Sequence, residues 1–233
     1  MKIIGLICAR SGSKGIKNKN ILKFKDTTLL GNSISQAKQI PIIEKVFVST
    51  DSKKIADKAK NYGAEVPFLR PKKLASDNSP EILSIRHAIN FFIKRLKIKP
   101  DYIVSIPTTA PLRSTKDIEA CIFKAIKYKH DVVFSVTASK RNPYFNMVEF
   151  KKNNKINLIC KSDKKLYNRQ KAPKCFDLTT VCYVFKTKFI LNNLNLFSGD
   201  TGFVEIPSHR AIDIDDSIDY EFAKFMAKSN KIL

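Results

Sequence analysis

The first 140 residues of this chain alternate between short apolar runs and helical patterns. Runs rich in β-branched and aromatic residues lie at 2–8, 45–49, 66–69, 102–106 and 132–136, and helical spacing of apolar residues fills the gaps between them. Parallel strands need a crossover connection of a dozen or more residues, and a helix usually provides it. The alternation therefore predicts an α/β fold with a mostly parallel, Rossmann-like sheet.

The pattern changes between about residues 140 and 188. Short alternating segments at 147–150, 156–160 and 181–185 are joined by polar turns. Such segments are typical of antiparallel pairing, so we expect a β-rich excursion from the sheet. No internal repeat or low-complexity linker divides the chain, and we interpret residues 1–233 as one domain.

Two helices carry local signals at their ends. Asp51 is the predicted N-cap of a helix that runs to Tyr62, and Gly63 is its predicted stop. Ser114 and Asp117 have the spacing of a capping box at the start of a later helix. We expect both helices to cover the sheet rather than to carry chemistry.

The chain is strongly basic, with a formal net charge of +22 from 43 lysines and arginines against 21 acidic residues. The excess is mostly lysine spread along the whole chain, without interleaved aromatic residues or a nucleic-acid motif. This pattern favours a solvated surface that attracts small anions over nucleic-acid binding. No apolar run approaches the ~20 residues of a membrane span, so we expect a soluble, cytoplasmic protein without membrane contact.

The cysteines and histidines show no metal-ligand spacing. The five cysteines form no CxxC pair, and the three histidines are scattered. Neither a zinc site nor a disulfide framework is expected.

A loop rich in glycine, serine and cations follows the first apolar strand. It reads Ala9-Arg10-Ser11-Gly12-Ser13-Lys14-Gly15. Glycines let the backbone N–H groups approach an anion, and the cations and hydroxyls add charge and hydrogen-bond donors. The loop therefore suits a phosphate group. The alternative is an exposed basic turn, because the loop matches neither of the common glycine-rich phosphate motifs.

Two acidic residues near the end of the chain stand two positions apart. On an extended segment Asp213 and Asp215 point to the same side, while Ile212 and Ile214 face the other. Two neighbouring carboxylates repel unless a cation lies between them, and oxygen ligands suit Mg²⁺. The alternative is an acidic stretch that only caps the final helix. Together with the glycine-rich loop, the pair supplies what an enzyme needs to bind a nucleoside triphosphate with magnesium.

Seven motifs in order make the chain resemble the acylneuraminate cytidylyltransferase family, which makes CMP-activated nonulosonic acids. The resemblance runs from residue 3 to about 222. The motifs that carry it are Arg10-Ser-Gly-Ser-Lys-Gly15, Lys19-Asn20, Val48-Ser-Thr-Asp51, Tyr62-Gly-Ala-Glu65, Phe68-Leu-Arg-Pro71, Ala110-Pro-Leu-Arg113 and Ile212-Asp-Ile-Asp215.

The resemblance implies a reaction, a metal and an assembly. In this family the C2 hydroxyl of a nonulosonic acid attacks the α-phosphate of CTP with the assistance of Mg²⁺, and pyrophosphate leaves. The segments 140–149 and 168–177 resemble the branch that acts on legionaminic-acid-type sugars. In the family the excursion at about 140–188 is a dimerisation arm that reaches the neighbouring subunit's site, which implies a homodimer.

Roles carry over by position from the same resemblance. Arg10, Lys14, Lys19 and Asp213 would be catalytic, and Asp213 with Asp215 would bind the metal. The residues implied to hold the nucleotide are Ala9, Arg10, Ser11, Gly12, Ser13, Lys14, Asn20 and Arg70. The residues implied to meet the sugar are Pro107, Phe145, Arg169, Asp177 and Tyr183.

Three of the sugar positions depart from the sialic-acid enzymes. Pro107 stands where those enzymes have glutamine, Phe145 where a lysine is common, and Asp177 where a second arginine is common. These changes leave CTP use intact but argue against N-acetylneuraminic acid as the sugar. Two alternatives stay open: synthesis of CMP-N-acetylneuraminate or CMP-Kdo, and a non-catalytic, basic nucleotide- or RNA-binding protein.

Overall fold

A six-stranded sheet forms the centre of the protein. The computed structural model describes residues 1–13, 15–161 and 167–229. Across the sheet the strands are β10 (Thr201–Glu205), β6 (Val132–Ala138), β9 (Phe176–Lys186), β5 (Tyr102–Ser105), β1 (Ile3–Cys8) and β4 (Lys45–Ser49). Two short hairpins stand apart from it, made of β2 (Lys23–Phe24) with β3 (Thr27–Thr28) and β7 (Val148–Phe150) with β8 (Ile156–Leu158).

The sheet is parallel except for one strand. β1 pairs in parallel with β4 and β5, and β10 pairs in parallel with β6. β9 lies between β5 and β6 and is antiparallel to both. The predicted α/β fold with a mostly parallel sheet is therefore confirmed. Because β1, β4 and β5 run in the same direction, the loops after them meet at one edge.

Helices cover both faces of the sheet. They are α1 (Leu29–Lys38), α2 (Lys53–Asn61), α3 (Glu81–Phe91), α4 (Thr115–Tyr128), α5 (Thr187–Asn192) and α6 (Ser217–Lys228). Residues of α1, α2 and α4 pack with Ile3 and Ile7 of β1 in one apolar cluster. Residues of α3 and α5 pack with Ile4 and Leu6 in a second cluster, as the alternation of side chains along a strand requires.

The predicted excursion is shorter than its expected range of about 140–188. The segment between β6 and β9, called the arm below, covers residues 139–175 and holds the hairpin of β7 and β8. The predicted segment 181–185 is antiparallel, but it belongs to β9 inside the central sheet. A buried antiparallel strand has the same local pattern as an arm strand, so the sequence did not separate the two.

Three other local predictions have different outcomes. The predicted strand at 66–69 is absent, and only Glu65, just before it, makes an isolated parallel bridge, to Phe47 of β4. The N-cap of α2 is Ser52 and not Asp51. The capping box of Ser114 and Asp117 at the start of α4 is confirmed.

A third apolar cluster joins the end of the chain to the sheet. Ile214 is buried there with Ala223 and Met226 of α6, and Ile212 packs against the same cluster. Among the described residues, no helix combines the length and apolar character needed to cross a bilayer. All five cysteines are free thiols.

Candidate active site

A cleft of about 400 Å³ opens at the edge of the sheet where β1, β4 and β5 end. Its walls come from the loop after β1, the loop after β5, strand β9 and the segment before α6. The lining residues are Cys8, Arg10, Ser13, Gly15, Lys19, Asn20, Glu81, Pro107, Thr108, Thr109, Thr180, Tyr183 and Asp215. The cleft therefore unites residues that lie as much as 207 positions apart, from Cys8 to Asp215.

A second cavity of about 220 Å³ adjoins this cleft and shares three residues with it, Cys8, Arg10 and Glu81. Its remaining lining residues are Arg70, Leu74, Ser76, Asp77, Ser79 and Ser84. The buried hydroxyl of Ser79 has no hydrogen-bond partner among the described residues. This side cavity therefore offers polar groups to a ligand that extends out of the cleft.

Asp51 organises the glycine-rich loop instead of capping α2. Its carboxylate accepts hydrogen bonds from the Ser11 backbone N–H at 2.9 Å and from the Ser11 hydroxyl at 2.6 Å. Burial alone would raise the pKa of Asp51, but these bonds outweigh burial and lower it. Ser11, a predicted nucleotide ligand, thus uses both of its donors to shape the loop.

The backbone of the loop is held from a second side by Asn20. Its amide nitrogen donates to the Arg10 carbonyl at 2.7 Å, and its amide oxygen accepts from the Thr108 hydroxyl at 2.5 Å. Asn20 is buried, so this residue positions Arg10 as well as lining the cleft. The Arg10 guanidinium pairs with Asp77 at 2.8 Å and faces both cavities.

The loop and the acidic segment touch directly at Gly15. A Cβ atom on Gly15 would lie 1.9 Å from the Asp215 carbonyl oxygen, so only glycine fits. Nearby, the Lys19 ammonium group donates to the Ile214 carbonyl at 2.6 Å and lies 3.5 Å from the Asp215 carboxylate. The glycine-rich loop and the acidic segment are therefore in contact in the fold.

The two carboxylates of the pair have different surroundings. Asp215 is exposed and lines the cleft, whereas Asp213 is half-buried and accepts a hydrogen bond from Thr180 at 2.8 Å. Thr180 in turn accepts one from Thr109 at 3.2 Å, and both threonines line the cleft. Two carboxylates beside the glycine-rich loop form an oxygen donor set that suits Mg²⁺, an ion that usually takes its remaining ligands from water and substrate phosphates. The described residues hold no group of three or more metal-ligating side chains.

The five residues predicted to meet the sugar do not all reach the cleft. Pro107 and Tyr183 line it, and burial raises the pKa of Tyr183 to about 12, with the negative charges of Glu81 and Asp213 adding to the effect. Arg169 lies in the arm, where it lines a separate cavity of about 570 Å³ and donates to the Ser139 carbonyl. The remaining two predicted positions lie outside both cavities: Phe145 is half-buried in the arm, and Asp177 is exposed on β9.

Several predicted nucleotide ligands also lie away from the central cleft. Ala9 is buried in the core and donates its N–H to the Ser49 carbonyl. Gly12 faces open space, where an added Cβ atom would meet no other described atom within 4 Å. Arg70 is buried beside Ser49, to which it donates hydrogen bonds, and it lines the side cavity. Lys14 lies outside the described residues.

Sequence reasoning missed three residues of this site. Asp51 was interpreted as a helix cap, because it directly precedes the helical pattern. Thr180 carries no local signal, since a threonine in a strand is ordinary. Glu81 opens α3 some 70 positions after the loop, and only the fold brings it beside Cys8 and Arg10.

Comparison with known proteins agrees with this geometry. A family model described as Cytidylyltransferase matches residues 4–187. The post-translational flagellin modification protein B of Campylobacter coli is 34% identical over 99% of this chain and 97% of its own length. The CMP-N,N'-diacetyllegionaminic acid synthase of Campylobacter jejuni is 35% identical over 97% of this chain and 94% of its own length.

The solved structures add a match at the level of the fold. A CMP:2-keto-3-deoxy-manno-octonic acid synthetase complexed with CTP superposes with a TM-score of 0.74 over 98% of this chain and 99% of its own. At 14% identity this likeness shows a common fold. With the family model and the two relatives, it leads to one conclusion: the chain belongs to the cytidylyltransferase family and is a nucleotidyltransferase.

Proposed function

We propose that this enzyme transfers CMP from CTP to the C2 hydroxyl of a nonulosonic acid and releases pyrophosphate. The observation that carries the proposal is the contact of the glycine-rich loop with the acidic segment, at Gly15 and Lys19, inside one cleft. A legionaminic-acid-type sugar is favoured, because a relative of that activity is 35% identical over nearly the whole chain. The departures at Pro107, Phe145 and Asp177 are consistent with a sugar other than N-acetylneuraminic acid.

The cleft offers positive charge to the triphosphate. Arg10, Ser13 and Lys19 line it, and Lys14 belongs to the same loop. In nucleotidyl transfer the α-phosphorus gains a bond to the sugar oxygen and loses its bond to the pyrophosphate oxygen. Cations held at this position neutralise the charge that develops on the phosphate oxygens. The base then extends into the side cavity, toward Arg70.

Asp213 and Asp215 would hold Mg²⁺ in this proposal. When bound, the ion would neutralise charge on the phosphates of CTP. The hydrogen bond from Thr180 to Asp213 and the bond from Lys19 to the Ile214 carbonyl keep the acidic segment in place beside the loop. The attacking hydroxyl must lose its proton, and a carboxylate of this pair is the acceptor within the cleft.

The arm supports a homodimer. In the hairpin Val148 is opposite Leu158 and Phe150 is opposite Ile156, so all four side chains share one face. All four are exposed, and Phe150 is 87% exposed. A two-stranded hairpin is marginally stable alone, so this face needs a partner. We propose a second copy of the chain as that partner, which would carry Arg169 of the arm toward the neighbouring cleft.

Sedimentation of the purified protein tests the assembly. We expect a dimer for the native chain and a monomer for Phe150→Asp, because a buried charge in the apolar face is unfavourable. Phe225→Asp on α6 is the matched control, since Phe225 is also an exposed phenylalanine but lies outside the arm. A native monomer, or dissociation by the control alone, contradicts the dimer through the arm.

Pyrophosphate release from CTP tests the reaction. A panel of legionaminic, pseudaminic, N-acetylneuraminic and Kdo sugars identifies the acceptor. A folded protein that releases no pyrophosphate with any of the four overturns the proposal. Asp213→Asn should abolish turnover and largely keep nucleotide affinity. A binding protein without catalysis would show nucleotide or RNA affinity that depends on neither metal nor Asp213.

A further inference from the structure

Glu81 is an acidic residue of the site with no role in the proposed chemistry. It is the first residue of α3, and its carboxyl group lies beside groups from three other parts of the fold. The Cys8 thiol and the Ser105 hydroxyl interact with it, and the positive charge of Arg70 faces it. Among the described residues, the negative charge of Glu81 also contributes to the raised pKa of Tyr183.

Glu81 stands where the two cavities of the site meet. It lines both of them, and among the described residues only Cys8 and Arg10 do the same. The central cleft contains the loop, Lys19 and Asp215, which suit phosphate and metal. The side cavity contains Arg70 and several hydroxyl groups, including that of Ser79, and these suit the polar edge of a base.

The order of groups within a nucleotide determines what lies at this junction. The ribose joins the base to the phosphates, so a triphosphate in the cleft and a base in the side cavity place the ribose between them. We infer that Glu81 binds the ribose hydroxyls of CTP and selects a ribonucleotide over a deoxyribonucleotide. This inference rests on the proposed function, because it requires CTP in these two cavities.

The chemistry of the three shared residues favours Glu81 for this contact. A carboxyl group is a good partner for ribose hydroxyls, as acidic residues in dinucleotide sites show. A thiol is a weak hydrogen-bonding group, and the Arg10 guanidinium already pairs with Asp77. Glu81 is exposed, so its carboxyl is accessible from the cavities, and both its neutral and its ionised form accept a hydrogen bond from a hydroxyl.

Turnover with CTP and with 2'-deoxy-CTP tests the inference in the full-length enzyme. The native enzyme should prefer CTP, because a site that hydrogen-bonds a hydroxyl discriminates against an analogue without it. Glu81→Ala should lower kcat/KM for CTP about tenfold or more and leave kcat/KM for 2'-deoxy-CTP nearly unchanged. Glu81→Gln, which keeps one acceptor oxygen, should have a smaller effect. Glu44→Gln, at an exposed glutamate before β4, should change neither value.

Three results separate the possible failures. An unchanged preference for CTP in a folded Glu81→Ala variant overturns the inference. A raised KM for the sugar with an unchanged nucleotide preference places Glu81 at the sugar and also overturns it. If the native protein turns over none of the sugars, the proposed function fails, and calorimetric binding of CTP and 2'-deoxy-CTP to both proteins still decides the role of Glu81.

Discussion

Replacing Asp117 by asparagine should loosen the segment that carries Asp213 and Asp215. The Asp117 carboxylate accepts two hydrogen bonds from the Arg210 guanidinium, each at 2.9 Å, and one from the Ser114 backbone N–H at 2.9 Å. Arg210 lies three residues before Asp213 in the chain. The ion pair therefore ties the acidic segment to the start of α4.

The expected loss of unfolding free energy follows from the burial of the Asp117 and Arg210 side chains. The side chain of Asp117 is 6% exposed, and that of Arg210 is 25% exposed. A hydrogen bond to a charged group contributes about 1.5–3 kcal/mol, and we take the lower end because Arg210 regains water when it is released. Asparagine keeps one acceptor oxygen, so one bond is lost and the other changes from charge-assisted to neutral, which together cost about 2 kcal/mol. For a chain of this size that loss lowers Tm by roughly 4–8 °C.

The loss of stability in Asp117→Asn should become smaller as the pH falls. Burial alone would raise the pKa of Asp117, but the bonds from Arg210 and Ser114 outweigh it and lower the pKa below its ordinary value. A carboxyl with a lowered pKa stabilises the fold above its unfolded-state pKa of about 3.9, and the contribution disappears as pH falls through the folded-state value. The difference between native protein and Asp117→Asn should thus be full at pH 7 and shrink below about pH 4.

Urea unfolding at several pH values measures this difference. Asp57→Asn on α2, at an exposed aspartate, is the control and should change stability little. Arg210→Gln should add almost no further loss to Asp117→Asn, because the pair is already broken. A loss under about 1 kcal/mol at pH 7, or an equal loss at pH 3, would refute the reasoning.

Three further changes test the loop and its neighbours. Gly15→Ala should lower Tm and turnover, because its Cβ would lie 1.9 Å from the Asp215 carbonyl oxygen. Gly12→Ala is the control and should leave Tm unchanged, since Gly12 faces open space. Equal Tm values for the two variants would contradict the contact at Gly15. Asp51→Ala should weaken CTP binding about tenfold in a titration, since the loop loses two hydrogen bonds that shape it, and unchanged affinity would show that the loop holds its form alone. Thr180→Val should raise the Mg²⁺ concentration for half-maximal turnover by roughly 10–100-fold, and an unchanged metal response would exclude Thr180 as a support of Asp213.

Much of the fold could be predicted because periodicity is a local property. Apolar runs with a period of two and helical patterns with a period of 3.6 lie within short windows. The strand predicted at 45–49 is β4, and the capping box at Ser114 forms as expected. The pattern at 66–69 has the same local character, but pairing with β4 stops at Glu65, and Pro67 has no backbone N–H to continue it.

The candidate site could be predicted only in part. Arg10, Ser13, Lys19 and Asp215 share the cleft as the ordered motifs indicate. Arg169 and Asp177 do not reach it within one chain, because the arm and the exposed end of β9 lie away from the loop. Their proposed contact with the sugar therefore depends on a partner subunit.

The sequence by itself determined the α/β architecture, the glycine-rich loop and the acidic pair, because each depends on residues that are neighbours in the chain. Only the tertiary structure decided that Asp51 shapes the loop, that β9 enters the sheet, and that Glu81 lies at the junction of two cavities. The physical reason is that these roles depend on contacts between residues 40 or more positions apart. Such contacts follow from how the whole core packs, and no local pattern records them.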